Sequence, residues 1–213
     1  MLEYYGKEYF NWQKEIGEFG GRANLFKFEQ FIGKTDDVLD FGCGGGYLLQ
    51  HIKTSGKKIG VEINPFARSV AEERIDEVYS RLEEVPDNSV NVIISNHALE
   101  HVENPADILR EFKRIIRNNG LIIVVVPHET TGTAKRIDTN MHLYTWAPQN
   151  LVNLYMYCGI NVISFDSICH MWVPNYQKVQ RKFGWSIFHK LCRLYCWFKG
   201  TGYQTRVVGS VRK

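Results

Sequence analysis

Cysteine is scarce and poorly spaced for metal binding or for a disulfide framework. The chain has five cysteines in 213 residues, and none of them forms a Cys-x-x-Cys pair. They are Cys43, Cys158, Cys169, Cys192 and Cys196. Zinc ribbons need such pairs and disulfide scaffolds need an even set, so the sequence argues against both classes. We expect reduced, mostly buried thiols that pack as small apolar residues.

Long apolar runs are also missing. No stretch approaches the roughly 20 uninterrupted apolar residues that a membrane-spanning helix needs. The first residues, Met1 to Glu8, lack the layout of a signal peptide. We therefore expect a cytoplasmic protein, and a peripheral position at a membrane stays open.

Acidic residues are absent from the last part of the chain. From Ser167 to Lys213 there is no Asp or Glu, whereas nine basic residues give this part a charge of +9. These are Lys178, Arg181, Lys182, Lys190, Arg193, Lys199, Arg206, Arg212 and Lys213. The formal net charge of the whole chain is only +3, so the first 166 residues carry −6. This asymmetry indicates contact with phosphate, a membrane surface or an acidic partner, or else a basic face that is merely solvated.

The apolar residues that the chain does contain suffice for one core. Hydrophobic residues make up 44% of the sequence, which is ordinary for a globular protein. A chain of this length buries roughly 70% of its unfolded surface. We therefore predict one α/β domain over residues 1–213.

A strand, a glycine-rich turn and a helix follow one another early in the chain. Val38–Asp40 is typical of the end of a buried strand, Phe41–Gly46 contains four glycines, and Tyr47–Ile52 has helical apolar spacing. Glycines let a backbone turn sharply and approach a ligand, to which the following helix offers its N-terminal amides. Lys57–Val61 predicts a second strand, and the next residue, Glu62, would present its carboxylate to a ribose diol.

The spacing of this turn disfavours a dinucleotide. Dinucleotide turns need a small residue five positions after the first glycine, and Tyr47 occupies that slot when the count begins at Gly42. The carboxylate of Asp40 can accept hydrogen bonds from an ammonium group, whereas a dinucleotide pyrophosphate would gain nothing from this carboxylate. The turn resembles the first motif of class I S-adenosylmethionine (SAM) dependent methyltransferases, Asp-x-Gly-x-Gly-x-Gly. The matching residues are Asp40, Gly42, Gly44 and Gly46, followed by Glu62 as the acidic end of the second strand. A glycine turn in another kind of α/β protein is the alternative.

The resemblance covers about residues 20 to 165 and implies a fold. That fold is a Rossmann-like, doubly wound sheet of seven mostly parallel strands, with the last strand antiparallel. We expect residues 1–35 to form a helical N-terminal lid and residues 36–166 to form the cofactor-binding core. Residues 167–202 are expected to form a basic helical insertion, and residues 203–213 the last strand.

The lid and the insertion each carry a helical pattern. The aromatic-rich stretch Tyr4–Phe31 predicts helix on the rim of the sheet, interrupted at Gly20 and Gly21. Apolar residues from Phe183 to Phe198 recur at helical spacing beside basic residues, which predicts a basic amphipathic helix. This helix could pack on the core, cover the acceptor pocket, form a dimer or lie on an anionic membrane surface.

The same resemblance implies SAM as the cofactor and S-adenosylhomocysteine as its product. The expected cofactor-binding residues are Arg22, Asp40, Gly42, Cys43, Gly44, Tyr47, Glu62, Ile63, Asn64, Arg81, Leu82, Asn96 and His97. Arg22 lies 18 residues before Asp40, where similar enzymes often pair an arginine with the cofactor carboxylate, although a surface arginine fits equally well. The family often places an aspartate after the third strand to hold adenine. Ser80-Arg81-Leu82 stands there instead, so we expect backbone groups near Arg81 and Leu82 to hold the base.

A second motif supports the same family. Val90–Asn96 predicts a fourth strand beside the first, and the following helical segment contains the Leu-Glu-His of the family's fourth motif. His97 and His101 stand four residues apart, as metal-binding pairs do, but no Glu follows His97 and no third ligand is evident nearby. We therefore expect no metal, interpret His101 as a core residue, and expect His97 to face the substrate.

Histidines after the fifth strand are further candidates for chemistry. Leu121–Val126 predicts that strand, and loops at the carboxyl ends of strands carry the site in this architecture. A sugar hydroxyl is a poor nucleophile at neutral pH, so a histidine general base is expected. We rank the catalytic candidates in the order His142, His97, His128.

The acceptor is the point at which the sequence becomes least informative. The loops and the insertion look like those of small methyltransferases of polysaccharide biosynthesis, which implies O-methylation of a sugar in a glycan or its precursor. A quinone precursor or another small molecule is the alternative acceptor. A SAM-binding subunit without chemistry and an RNA methyltransferase also stay open, although no recognisable RNA-binding module occurs. DNA is not expected as a partner, and the oligomeric state is left open.

Overall fold

The computed structural model describes residues 7–129 and 141–213, with side chains from residue 16 onward. Its helices are α1 (Lys7–Asn24), α2 (Pro65–Ala71), α3 (Pro105–Ile115), α4 (Pro148–Tyr157) and α5 (Tyr176–Lys199). Its strands are β1 (Val38–Phe41), β2 (Lys58–Val61), β3 (Glu77–Tyr79), β4 (Val90–Asn96), β5 (Ile116–Pro127), β6 (Asn161–Cys169) and β7 (Tyr203–Ser210). In the described part of the chain, no helix is long and apolar enough to cross a membrane.

The strands form one sheet in the order β3-β2-β1-β4-β5-β7-β6. Neighbours from β3 to β5 pair in parallel, and β7 runs antiparallel to both β5 and β6. The predicted Rossmann-like sheet with an antiparallel last strand is therefore confirmed. Strand β5 begins five residues before the predicted Leu121, because Ile116 already pairs with Val90 ahead of a register shift.

The register of the central strands positions the site. Phe41 pairs with Val61 on one side and with Ser95 on the other, so β1, β2 and β4 end at the same edge. Ligands of doubly wound sheets bind at this carboxyl edge, where the strand order reverses. Buried apolar residues cover both faces of the sheet, including Leu39 and Ile93 on one face and Val38 and Ile94 on the other.

Two predicted helices are only short 3₁₀ turns. The helix expected over residues 47–52 is limited to Leu49–His51, and the helix expected after His97 is limited to Leu99–His101. In the first case the turn lasts until Gly46, at φ +75°, and the backbone is extended again at Ile52. Too few residues remain between these points for an α-helix, whose regular hydrogen bonds span four residues.

The predicted interruption of the lid at Gly20 and Gly21 is wrong, since α1 runs through both glycines. A Cβ on Gly21 would lie 2.1 Å from the Tyr47 carbonyl oxygen, and one on Gly17 would lie 2.8 Å from the Tyr47 ring. The helix therefore needs glycine at these positions to approach the turn, and packing offsets the roughly 1 kcal/mol that helical glycine costs. Of the aromatic side chains predicted to form the lid, Tyr4, Tyr5, Tyr9, Phe10 and Trp12 lie outside the described side chains.

The insertion is helical, as predicted. Helix α5 bends at Gly184, whose φ of 74° and ψ of 173° are not helical. Its inner face contributes Phe188 and Cys192 to an apolar cluster with Ala23 of α1. The loop predicted to run to Asn140 falls largely on residues 130–140, outside the described ranges.

Candidate active site

A cavity of about 780 Å³ lies at the carboxyl ends of β1, β2 and β4. Its volume falls within the roughly 300–1,000 Å³ typical of cofactor and small-molecule sites. Most of the predicted cofactor residues line it, namely Asp40, Gly42, Cys43, Gly44, Tyr47, Glu62, Ile63, Asn64, Arg81, Leu82, Asn96 and His97. Gly17, Gly21 and Asn24 of α1 close one side of it.

The glycine turn needs glycine for two different reasons. Gly42, Gly44 and Gly46 all have positive φ, at 75°, 53° and 75°, a region that costs an ordinary residue about 1–2 kcal/mol. A Cβ on Gly42 would lie 2.5 Å from the Cβ of Ala98, so close packing also excludes one there. A Cβ on Gly44 would meet nothing within 4 Å, so at that position the turn leaves open space beside the cavity.

The carboxylate of Glu62 is held by the backbone around it. Its Oε2 accepts from the Gly44 amide at 2.9 Å, and its Oε1 accepts from the Asn64 amide at 2.8 Å. Burial raises the pKa of Glu62 above its ordinary value, against the effect of these amides. Asn64 then caps α2 by accepting from the Phe66 amide at 2.9 Å. The predicted ribose-binding carboxylate is thus fixed at the cavity wall.

Asp40 is a buried carboxylate whose neighbourhood is acidic. Burial and the nearby charge of Glu62 raise its pKa well above the ordinary value, and no cation among the described residues contributes. A buried carboxyl, Asp40, and a half-buried one, Glu62, on the same wall favour a ligand that brings positive charge. Burial, reinforced by the charges of Asp40 and Glu62, raises the pKa of the Cys43 thiol, so this cysteine is not a ready nucleophile.

Arg22 does not reach the cavity. Its side chain is exposed and is not part of the lining. Its charge instead adds to burial in lowering the pKa of His51. The pairing predicted between Arg22 and the cofactor carboxylate receives no support from this arrangement. One helical position separates the arginine from Gly21, which does face the turn.

Of the three histidines ranked as catalytic, only His97 lines the cavity. His142 and His128 are not part of the lining. His142 Nδ1 is 3.0 Å from Glu129 Oε1, and His128 Nδ1 is 3.0 Å from the Trp146 carbonyl oxygen.

His97 is a strained residue that touches two oxygen acceptors. It has a positive φ of 56°, which is uncommon for a residue with a Cβ. Its Nδ1 lies 3.3 Å from Glu100 Oε1, and its Nε2 lies 3.1 Å from Gln204 Oε1. The amide of Gln204 is oriented by donating to the His170 carbonyl at 3.3 Å. Both ring nitrogens therefore face oxygens that can only accept.

His101 lines the cavity, although the sequence suggested a core residue. Burial lowers its pKa, while the charge of Glu100 and a hydrogen bond to the main-chain oxygen of Met141 act in the opposite direction. Its ring packs edge-to-face on His142, with centroids 4.9 Å apart. The cavity therefore contains an imidazole that burial favours in its neutral form.

Glu100 lies close to the imidazoles of His97 and His101. Its side chain is fully buried. Burial alone would raise its pKa, but the hydrogen bond and charge of His97 outweigh it and leave that pKa below the ordinary value. Ligand atoms of Glu100, His101 and His142 lie within 4.8 Å of one another, a grouping that contains His101 but not His97 and therefore differs from the pair considered from the sequence.

Lys27 is the residue that sequence reasoning missed. It is fully buried, and its Nζ donates to Asn96 Oδ1 at 2.9 Å. Burial lowers its pKa to about 7, against the attraction of Glu100. The only signal in the sequence was its position between Phe26 and Phe28. With a pKa of about 7 this amine is only partly charged at neutral pH, and the charge that it carries is attracted by Glu100.

Comparison with known proteins places this arrangement in context. A family model described as "Methyltransferase domain" matches residues 12–179. A probable S-adenosylmethionine-dependent methyltransferase of Mycobacterium tuberculosis is 30% identical over 107 residues, which are 47% of this chain and 39% of that protein. The ubiquinone biosynthesis O-methyltransferase of Rickettsia akari is 27% identical over 162 residues, which are 66% of this chain and 64% of that protein.

The fold has close counterparts among solved structures. A SAM-dependent methyltransferase from Archaeoglobus fulgidus superimposes with a TM-score of 0.70 at 18% identity, covering 95% of this chain and 99% of that one. The residues of the cavity fit the same cofactor. The buried carboxyl of Asp40 and the half-buried carboxyl of Glu62 favour the positive charges of SAM, and the open side of Gly44 admits close approach of a ligand.

Proposed function

Since the chain belongs to the methyltransferase-domain family, we propose that it transfers the methyl group of SAM to an acceptor hydroxyl. The observation that carries this proposal is a cavity that combines a buried and a half-buried carboxylate, Asp40 and Glu62, with a half-buried imidazole, His101, whose pKa is lowered. SAM supplies an electrophilic methyl group when bound, so the protein has mainly to orient the acceptor and to accept its proton.

We assign the cofactor half of the cavity to β1 and β2. Asp40 accepts from the ammonium group of SAM, directly or through water, and Glu62 accepts from the ribose hydroxyls. Both oxygens of Glu62 already accept from backbone amides, which fixes the direction of their remaining lone pairs. Gly44 leaves room for the ligand to approach the backbone.

The acceptor half belongs to the end of β4, where we assign the general base to His101. Burial keeps its imidazole neutral at pH 7, so it can accept a proton from the hydroxyl as the methyl group leaves sulfur. The carboxylate of Glu100 stabilises the resulting imidazolium. His142, oriented by Glu129, supports the ring of His101 from behind.

His97 is better suited to positioning than to proton removal. Both of its nitrogens face oxygens that can only accept, so neither is available for a proton in this conformation. Its ring still lines the cavity and bounds the space beside His101. The base assignment therefore moves from the order His142, His97, His128 to His101.

For the acceptor we favour a phenolic hydroxyl of a quinone precursor. The support comes from relatives such as the Rickettsia akari protein, whose name states O-methylation in ubiquinone biosynthesis. The sugar hydroxyl expected from the sequence has no such support, and it enters as an arm of the test. In either case the acceptor is a small molecule or a lipid-linked group.

In the test, the purified chain is incubated with labelled SAM and with a panel of acceptors. The panel contains phenolic quinone precursors, sugar nucleotides, oligosaccharides and primary amines. We expect label in the phenols, and calorimetry should show binding of SAM and S-adenosylhomocysteine but not of NAD. Label only in the sugars would refute the phenolic acceptor and restore the glycan interpretation. Label only in the amines, or tighter binding of NAD than of SAM, would overturn the proposal.

A further inference from the structure

The outer face of α5 carries an apolar strip that the described chain does not cover. Ile187, Leu194, Trp197 and Phe198 are 45%, 60%, 71% and 78% exposed. Spacings of seven and four residues place Ile187, Leu194 and Phe198 along one line of the helix. Single exposed apolar residues are ordinary on protein surfaces, but four along one helix mark an interaction surface.

Positive charge surrounds this strip. Lys190 and Arg193 are exposed on the same side of the helix. Helix α5 contains six basic residues and no acidic ones, and no acidic residue occurs anywhere after Asp166. An apolar strip bordered by Lys and Arg, with an aromatic residue beside it, is the composition of a helix that lies in a lipid interface.

None of the described residues covers this outer face of α5. The inner face of α5 already packs on the body through Phe188, Cys192 and Cys196, which are fully buried. A second copy of the chain would bring two surfaces of the same positive sign together, and like charges oppose such an interface. An anionic surface complements both the charge and the apolar strip.

We propose that α5 docks the protein on an anionic lipid bilayer, lying parallel to the surface with Ile187, Leu194, Trp197 and Phe198 in the acyl boundary. Lys190 and Arg193 contact the lipid headgroups. Docking does not involve spanning, since no helix of the described residues is long and apolar enough to cross a membrane.

The inner face of α5, opposite the apolar strip, is linked to the cavity by contacts between aromatic rings. Phe19 of α1 lies 5.1 Å from Trp172 and 5.5 Å from Phe188 of α5, measured between ring centroids. Trp172 also lines the cavity. Docking through α5 thus holds the cavity close to the interface, where a lipid-linked acceptor lies. This consequence rests on the proposed function, whereas the docking itself does not.

The test is flotation of the full chain with vesicles of phosphatidylcholine alone or with roughly 30% phosphatidylglycerol, at about 50 mM and about 500 mM salt. We expect binding to the anionic vesicles that weakens at high salt. Trp197→Ala with Phe198→Ala should lower the partition coefficient at least about tenfold. Lys190→Gln with Arg193→Gln should lower it about 30-fold, from the contribution typical of a basic residue near such a surface.

Matched controls separate docking from general surface effects. Met156→Ala with Tyr157→Ala removes two adjacent side chains of α4 that are 64% and 73% exposed, and it should leave partitioning unchanged. Lys34→Gln with Lys53→Gln removes two exposed charges outside α5 and should have a much smaller effect than the α5 pair. Circular dichroism and SAM binding confirm folding of every variant.

Three results would overturn the proposal. One is equal binding to neutral and anionic vesicles. Another is equal loss of binding in the α5 variants and their controls. The third is absence of vesicle binding together with a dimer, seen in sedimentation velocity, that Trp197→Ala with Phe198→Ala dissociates. A failure of methyl transfer leaves this test unaffected, because vesicle binding is measured without an acceptor.

Discussion

The two halves of the cavity are built in different ways. In the cofactor half, the residues from Asp40 to Asn64 come from one continuous strand-turn-strand segment, and backbone amides hold the Glu62 carboxylate. In the acceptor half, side chains from separate parts of the chain meet at the end of β4. Lys27 bonds Asn96, Gln204 contacts His97, and the ring of His142 contacts His101.

The electrostatics of the two halves differ as well. The cofactor half holds two carboxylates whose pKa values are raised, so it favours a cationic ligand. The acceptor half balances the Glu100 carboxylate against Lys27 and His97, which keeps its charges within the protein. We therefore expect the halves to respond separately to substitution, with turnover depending on one and cofactor affinity on the other.

The largest expected effect is on turnover in the acceptor half. His101→Ala should lower kcat by about 10²- to 10⁴-fold, because it removes the group that accepts the hydroxyl proton. The affinity for SAM, measured by calorimetry, should change by no more than a few-fold. His142→Ala removes the edge-to-face contact that orients the His101 ring, and we expect about a tenfold loss of kcat.

His128→Ala is the control for this series, since His128 lies outside the cavity lining and contacts the Trp146 carbonyl. Near-normal turnover in His101→Ala, with a large loss in His97→Ala or His142→Ala, would move the base to that residue. Chelating agents should leave turnover unchanged. A loss that an added divalent cation restores would instead assign Glu100, His101 and His142 to a metal site.

The same contrast explains how far the sequence could lead. The cofactor half was predictable because its signals are local, whereas the seven-stranded arrangement of the sheet was implied by the family resemblance. Asp40, the glycines of the turn and Glu62 lie within one segment of 23 residues. Their spacing along two neighbouring strands therefore predicts that they lie close together. Buried strands such as β5 are also predictable, because they occur in the sequence as continuous apolar runs.

The acceptor half was not predictable, because its geometry depends on packing between distant segments. His142 and His101 differ by 41 positions, yet their rings touch, and this placed His101 rather than His142 at the cavity wall. A lysine between two aromatics reads as a surface residue until the fold buries it. The glycines of α1 likewise predicted a break, because their contact with Tyr47 cannot be seen in the sequence.

A smaller effect tests the cofactor half. Asp40→Asn keeps the shape of the side chain but removes its charge, so SAM should bind more weakly by about 1.5–3 kcal/mol, roughly 10- to 150-fold. Turnover at saturating SAM should change little. Unchanged affinity in calorimetry would mean that Asp40 does not contact the ammonium group.

The pH dependence of stability gives this variant a second readout. The folded state raises the pKa of Asp40 above its unfolded value. The folded state therefore binds the Asp40 proton more tightly than the unfolded chain does. The stability that this bound proton contributes is lost as pH rises through the folded-state pKa. Ligand-free Asp40→Asn should lack this loss and be more stable than the wild type at neutral and alkaline pH. Denaturant unfolding across pH, with and without SAM, measures it.

Effects on folding stability rather than on turnover separate two glycines of the turn. Gly42→Ala and Gly44→Ala both place a Cβ at positive φ, at 75° and 53°, and each should lose about 1–2 kcal/mol of unfolding free energy. Only the Gly42 variant also forces its Cβ to within 2.5 Å of Ala98, so its loss should be larger by about 1–3 kcal/mol. Adding Ala98→Gly to Gly42→Ala should recover part of that difference, as measured by denaturant unfolding.

Gly44→Ala should affect SAM binding more than stability, because its new methyl group meets nothing within 4 Å and occupies open space beside the cavity. We expect near-wild-type folding apart from the backbone strain, together with weaker binding of SAM. Equal stability of the two variants would show that the Ala98 contact relaxes at little cost. Unaltered SAM affinity in Gly44→Ala would place the ligand away from this turn. The cofactor half would then depend on Asp40 and Glu62 alone, and the backbone approach inferred from the glycine motif would be wrong.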